Sequence, residues 1–237
     1  MNALVLFRSD LRLHDNETLL QAATQADKLI CAYALEEKTP FLLEALRDLQ
    51  AALKDLGVPL LIQETTPQVL VETLVEEHDI DAVYTQERPH PEVLDTITAP
   101  LKTYETATLY KPEDLPIEIT TQDAFLRLTQ HLFPPIAFAA PKELPGVDLP
   151  VTPIPELASN QEILGGETAA LELLDNLLTS GGDATKLHPY LDVGCLSPRR
   201  VFYQALDVEQ TSNQDTRALR YAMRERDYRL LTADTND

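Results

Sequence analysis

The chain has 237 residues, 44% of them hydrophobic, with 39 acidic against 19 basic residues and a net charge of −20. That length allows one large domain or two small ones around a real core. The charge has the wrong sign for a surface that binds phosphate backbones, which argues against a DNA binder unless charge is segregated along the chain.

Before residue 121 there are 9 basic against 22 acidic residues, net −13; after it there are 10 against 17, net −7. Seven of those ten later basic residues are Arg199, Arg200, Arg217, Arg220, Arg224, Arg226 and Arg229, a local basic region. No stretch reaches membrane-spanning length and no basic-then-apolar leader opens the chain, so the sequence points to a cytoplasmic protein. Cys31 lies in an apolar run and Cys195 at a turn, neither with a CxxC partner, which predicts buried thiols.

Ala3–Phe7 is a short apolar run of the kind a buried parallel strand needs. Arg8, Asp10, Arg12, His14 and Asp15 follow as a dense charged loop, and Asn16 is placed to cap a helix. Carboxyl-end loops of this kind hold ligands in open α/β sheets, so this is the first place for a site. The structural alternative is that Arg8, Asp10 and Arg12 pair with one another and pin the loop. Leu29–Leu35 is a second strand. Phe41–Leu56 carries leucines at helical spacing and Gly57 closes it. Val58–Ile62 is a third strand, Thr66 caps a helix running to His78, and Ile80–Tyr84 and Leu101–Tyr104 are further strands. Pro91–Ala99 reads as a short helix. The alternation of strands and helices predicts a parallel five-stranded sheet.

From Ala107 to Leu164 prolines recur, which excludes regular helix or central strand over most of the stretch. It reads as a connector with one helix near Gln122–Leu132. Beyond it, Glu167–Leu178, a helix from Pro198 capped by Ser197, and a last helix from about Asp215 to Leu231 form a helical region. The expected segments are 1–120, 121–164 and 165–237.

No GxGxxG or P-loop pattern follows any strand, and no GxSxG is present. His78, His90, His131 and His188 are scattered, so no metal site is expected.

FRSDLRLHDN (7–16) resembles the N-terminal signature of the photolyase/cryptochrome family. FLLEALRDLQAALKDLGVPLLI (41–62) is similar to a helix and strand of that family's Rossmann-like domain. ATLYKPEDLPI (107–117) and APKELPGV (140–147) resemble the connector of DASH-type cryptochromes. GGETAALELLDNLL (165–178), TKLHPYLDVGCLSPRRVFYQAL (185–206) and RERDYRLL (224–231) are similar to successive parts of the helical FAD domain. The resemblance covers nearly the whole chain in order. It implies an N-terminal photolyase-like α/β domain, the connector, and a partial helical FAD domain that stops within its first half.

It also implies where cofactors would sit. Thr185, Lys186, Leu187 and His188 match the flavin-phosphate segment, with His188 in place of a second serine. Arg226 would face FAD. Glu87 takes the place of a carboxylate on a methenyltetrahydrofolate antenna; a solvated loop glutamate is the plainer reading. Other positions depart from the family pattern. Ala222 replaces an acidic residue that contacts the damaged base, Glu225 replaces a stacking tryptophan, and the sequence contains no Trp. These departures suggest a degenerate relative that holds FAD weakly or not at all and lacks repair activity. Such a protein would act through a protein partner or self-association, its helices leaving Leu171, Leu174, Leu177, Val201 and Phe202 uncovered. The alternative is a flavin enzyme for light-driven pyrimidine-dimer repair, completed by oligomerisation or a second chain.

Overall fold

The structure is a computed structural model that describes residues 1–87, 94, 97–115, 121–156, 164–212 and 215–233. Five strands, β1 (Asn2–Phe7), β2 (Lys28–Ala34), β3 (Leu60–Gln63), β4 (Ala82–Gln86) and β5 (Leu101–Tyr104), form one parallel sheet in the order β3-β2-β1-β4-β5. Helices α1 (Glu17–Gln25), α2 (Pro40–Asp55) and α3 (Pro67–His78) connect them. The central strand β1 is buried along Ala3–Phe7 because both faces are covered. Leu4 and Leu6 face a cluster with Leu70, Val71 and Leu74 of α3, while Val5 and Phe7 face the opposite cluster with α2.

Helix starts follow the caps read from sequence. Asn16, Thr39 and Thr66 each accept a backbone N–H through the side chain, and Pro40 and Pro67 sit in the first turns. Gly57, at φ +82, turns the chain out of α2. The segment expected to be a helix over 91–99 lies largely outside the described residues.

The connector carries α4 (Gln122–Thr129) and otherwise lies on the α/β layer. Leu29 N donates to Pro145 O at 2.7 Å, and a Cβ on Gly146 would lie 2.1 Å from Gly57 O. Four more helices follow: α5 (Glu167–Ser180), α6 (His188–Asp192), α7 (Pro198–Ser212) and α8 (Arg217–Ala233). α7 keeps Leu206 and Val208 against the core and ends in the exposed polar residues Gln210, Thr211 and Ser212.

The expectation of uncovered apolar faces is corrected here. Leu174, Val201 and Phe202 are fully buried, and Leu171 and Leu177 are partly buried against the same cluster. The reason is that α7 packs between α5 and α8, while α5 lies on α2. The helices thus extend the core of one sheet face, and Phe7, Leu46, Leu174 and Phe202 belong to a single cluster.

Candidate functional site

In this topology the chain leaves β1 in one direction through β2 and β3 and returns on the other side as β4. The switch point therefore lies between β1 and β4, beside the loop 8–16. The loop's charges are spent on holding it. Arg8 N donates to Asp10 Oδ1 at 2.9 Å, and Asn16 Nδ2 donates to the carbonyls of Asp10 and Arg12, both at 3.1 Å. Asp10 is fully buried, and burial raises its pKa.

Arg12, 1% exposed, makes no ion pair with Asp10. It donates to four carbonyls instead: His14 (3.0 Å), Gly194 (2.9 Å), Asp15 (3.1 Å) and Thr106 (2.7 Å). Both Arg8 and Arg12 still favour the Asp10 carboxylate through their charge, while the Arg12 guanidinium gathers backbone from three parts of the chain. Asp15 is the carboxylate that takes an arginine. At φ +51 it accepts from Arg199 Nε at 2.9 Å, from Phe138 N at 3.0 Å and from the Ser197 hydroxyl. Ser197 also caps α7, accepting from Arg200 N at 3.2 Å.

The residues matched to the flavin-phosphate segment are divided by the fold. Leu187 is a core residue with no exposure. Thr185 and Lys186 are exposed, and the Thr185 hydroxyl donates to Asp183 Oδ1 at 2.7 Å. That bond and the one from Thr185 N hold the Asp183 carboxyl below the usual carboxylate range. His188 and Arg226 do come together, in a recess of about 210 Å³ shared with Asp192, Arg229 and Leu230. Arg226 Nη1 and Nη2 donate to Ala107 O (2.7 Å) and Leu191 O (2.9 Å). Glu87 follows β4, half-buried, its N–H on Tyr104 O at 2.9 Å. Ala222 packs against the core, and Glu225 accepts from Gln122 Nε2 at 2.9 Å.

Sequence reasoning missed what Asp227 does. Fully buried, it accepts from Leu109 N at 2.6 Å and Tyr110 N at 3.2 Å. Burial pushes its pKa up to about 8 against those donors and Arg226, and Glu105 pushes it the same way. Arg226 and Asp227 together hold the segment 107–110 against α8. The adjacent charged pair was the only signal for this, and it points to no particular backbone. Among the described residues no group of three or more His, Cys, Asp or Glu side chains could hold a metal ion, and no helix is long and apolar enough to cross a membrane.

The family model described as DNA photolyase matches residues 3–116. Cryptochrome DASH of Xenopus laevis is 30% identical over 290 residues, covering 94% of this chain and 55% of that protein. The chain belongs to the photolyase/cryptochrome family. A second relative, cryptochrome DASH of Natronomonas pharaonis, is 27% identical over 95% of this chain and 61% of its own length. The crystal structure of the Synechocystis cryptochrome matches with a TM-score of 0.80 at 24% identity, over 98% of this chain and 61% of that one. The archaeal photolyase of Sulfolobus tokodaii, solved with two FAD molecules, matches with a TM-score of 0.73 at 20% identity, over 100% and 60% of the two chains. This photolyase/cryptochrome chain thus spans between about half and three fifths of the length of these relatives.

Whether its residues fit FAD can be tested on the recess. Sites for drug-sized ligands span roughly 300–1,000 Å³, and the recess has about 210 Å³. Asp192 lines it, Asp183 sits beside Thr185, and both carboxylates repel a diphosphate. Two of the Arg226 donors are already used. The described residues do not fit FAD by themselves.

Proposed function

We propose that this photolyase/cryptochrome-family chain does not itself perform flavin-dependent repair and works as a non-catalytic, partner-dependent relative of the photoreceptors. The observation that carries this reading is the use of Arg226. Its guanidinium ties Ala107 and Leu191 in place, beside a recess too small for FAD and lined by a carboxylate.

Glu225 adds a charge where the family pattern has a stacking aromatic, which opposes a flipped base. The net charge of −20 opposes the DNA backbone as well. Excited-flavin chemistry needs the flavin held rigidly and dry beside its substrate. Glu87 lies directly after β4, and a folate antenna is not part of this reading.

A second reading, a flavin-binding repair enzyme completed by another chain, is favoured by the convergence of His188, Arg226 and Arg229 in one recess. Visible absorption of the protein purified from a flavin-replete host separates the two. A folded, colourless protein that stays colourless with added FAD is the expected result. A stoichiometric flavin spectrum overturns the proposal and calls for an assay of light-driven repair. A sizing column run on the same sample reports self-association.

A further inference from the structure

α8 presents arginines in two directions. Arg226 and Arg229 face the recess beside α6, whereas Tyr221 and Arg224, one turn apart, face α4. There they form a separate cleft of about 290 Å³ with Asp123, Leu126 and Arg127 on one side of α4 and Gln130 at its C-cap. Arg224 is 8% exposed, its guanidinium lies 5.0 Å from the Phe202 ring centroid and its side chain hydrogen-bonds Tyr110, while its Nε has no hydrogen-bond partner.

Among the described residues neither Arg224 nor Arg127 makes an ion pair, although acidic residues outnumber basic ones two to one. A buried cation left without a carboxylate is costly unless something anionic meets it. Asp123 lines the same cleft, and Glu225, held by Gln122, also hydrogen-bonds Tyr221. A ligand therefore needs to approach between the two guanidinium groups, away from both carboxylates. Guanidinium groups suit planar, bidentate oxyanions, and Tyr221, 47% exposed, and Leu126 offer an apolar wall beside them.

We propose that the α4–α8 cleft is a binding site for a small oxyanion, a phosphate or a carboxylate, held between Arg127 and Arg224. The site is independent of the recess that corresponds to the flavin segment, and it does not rest on the proposed function above. Isothermal titration of the full chain with inorganic phosphate, and separately with benzoate, tests it.

Saturable heat with phosphate alone assigns a phosphate ligand, and heat with benzoate alone or with both assigns a carboxylate-compatible site. The exposed Arg127→Gln is expected to weaken binding at least roughly tenfold, the loss of one charge-assisted bond, with folding unchanged by circular dichroism. Arg224→Lys keeps the charge, loses the fork and is expected to weaken binding too. Arg229→Gln, in the other recess, is expected to leave it unchanged. No saturable heat with either anion overturns the proposal. So does binding that survives Arg127→Gln or is lost with Arg229→Gln.

Discussion

Asp227 is where one residue couples the charge state of the protein to its packing. Its folded pKa, about 8, lies above the ordinary value of 3.8. Between those limits the folded chain holds a proton that the unfolded chain has released, so this group's contribution to stability declines as pH rises through the window. The melting temperature is expected to fall between about pH 5 and about pH 8, and Asp227→Asn is expected to flatten that dependence. A variant that keeps the full slope sinks the assignment. Arg12 makes the complementary point. Sequence showed a charged loop and suggested that its ions pair among themselves. The structure spends Arg12 on carbonyls from residues 14, 15, 106 and 194. Carbonyl partners carry no sequence signature, since every residue has one, so this use of a buried arginine was not legible in advance.

The elements themselves were largely legible, because their causes are local. Asn16, Thr39 and Thr66 cap helices as side-chain chemistry dictates, and β5 has the bounds read from the sequence. The misjudged part was packing between elements: the leucines and Phe202 of the helical region were expected to be bare and are covered by α2, α7 and α8. How elements dock is set by contacts distant in sequence, such as Gly194 against the loop after β1. At φ +74, Gly194 lies where a Cβ would be 1.9 Å from Ser9 O. Gly194→Ala is expected to cost roughly 2–5 kcal/mol, combining left-handed strain with overpacking. Chemical denaturation measures it, and a loss below about 1 kcal/mol would show that the loop has room to yield.

On the scale of the whole molecule, one apolar cluster runs from β1 through α2 to α5, α7 and α8. Such a shared core predicts one cooperative unfolding transition, with calorimetric and van't Hoff enthalpies in agreement. Two resolved transitions would mean that the sheet and the helices are separate folding units. The excess of 20 negative charges repels itself in the compact state. Raising salt from about 0.05 M to about 0.5 M is therefore expected to raise the melting temperature, since added ions screen that repulsion. A fall with salt would mean that exposed attractive pairs such as Lys38–Glu64 outweigh the net charge.

The clasp formed by Arg12 and Asp15 also fixes a schedule for biosynthesis. Arg12 takes the carbonyl of Gly194, and Asp15 takes Ser197, each across 182 residues of sequence. All five strands lie before residue 105, so the sheet can assemble while the ribosome is still translating the helices. The loop at the sheet's carboxyl end cannot finish until residues 194–199 have emerged. A nascent chain stalled before that point carries a paired sheet with a fully charged, unsatisfied rim. Collapse and sheet pairing therefore precede the closing of the clasp, which waits for residues 194–199.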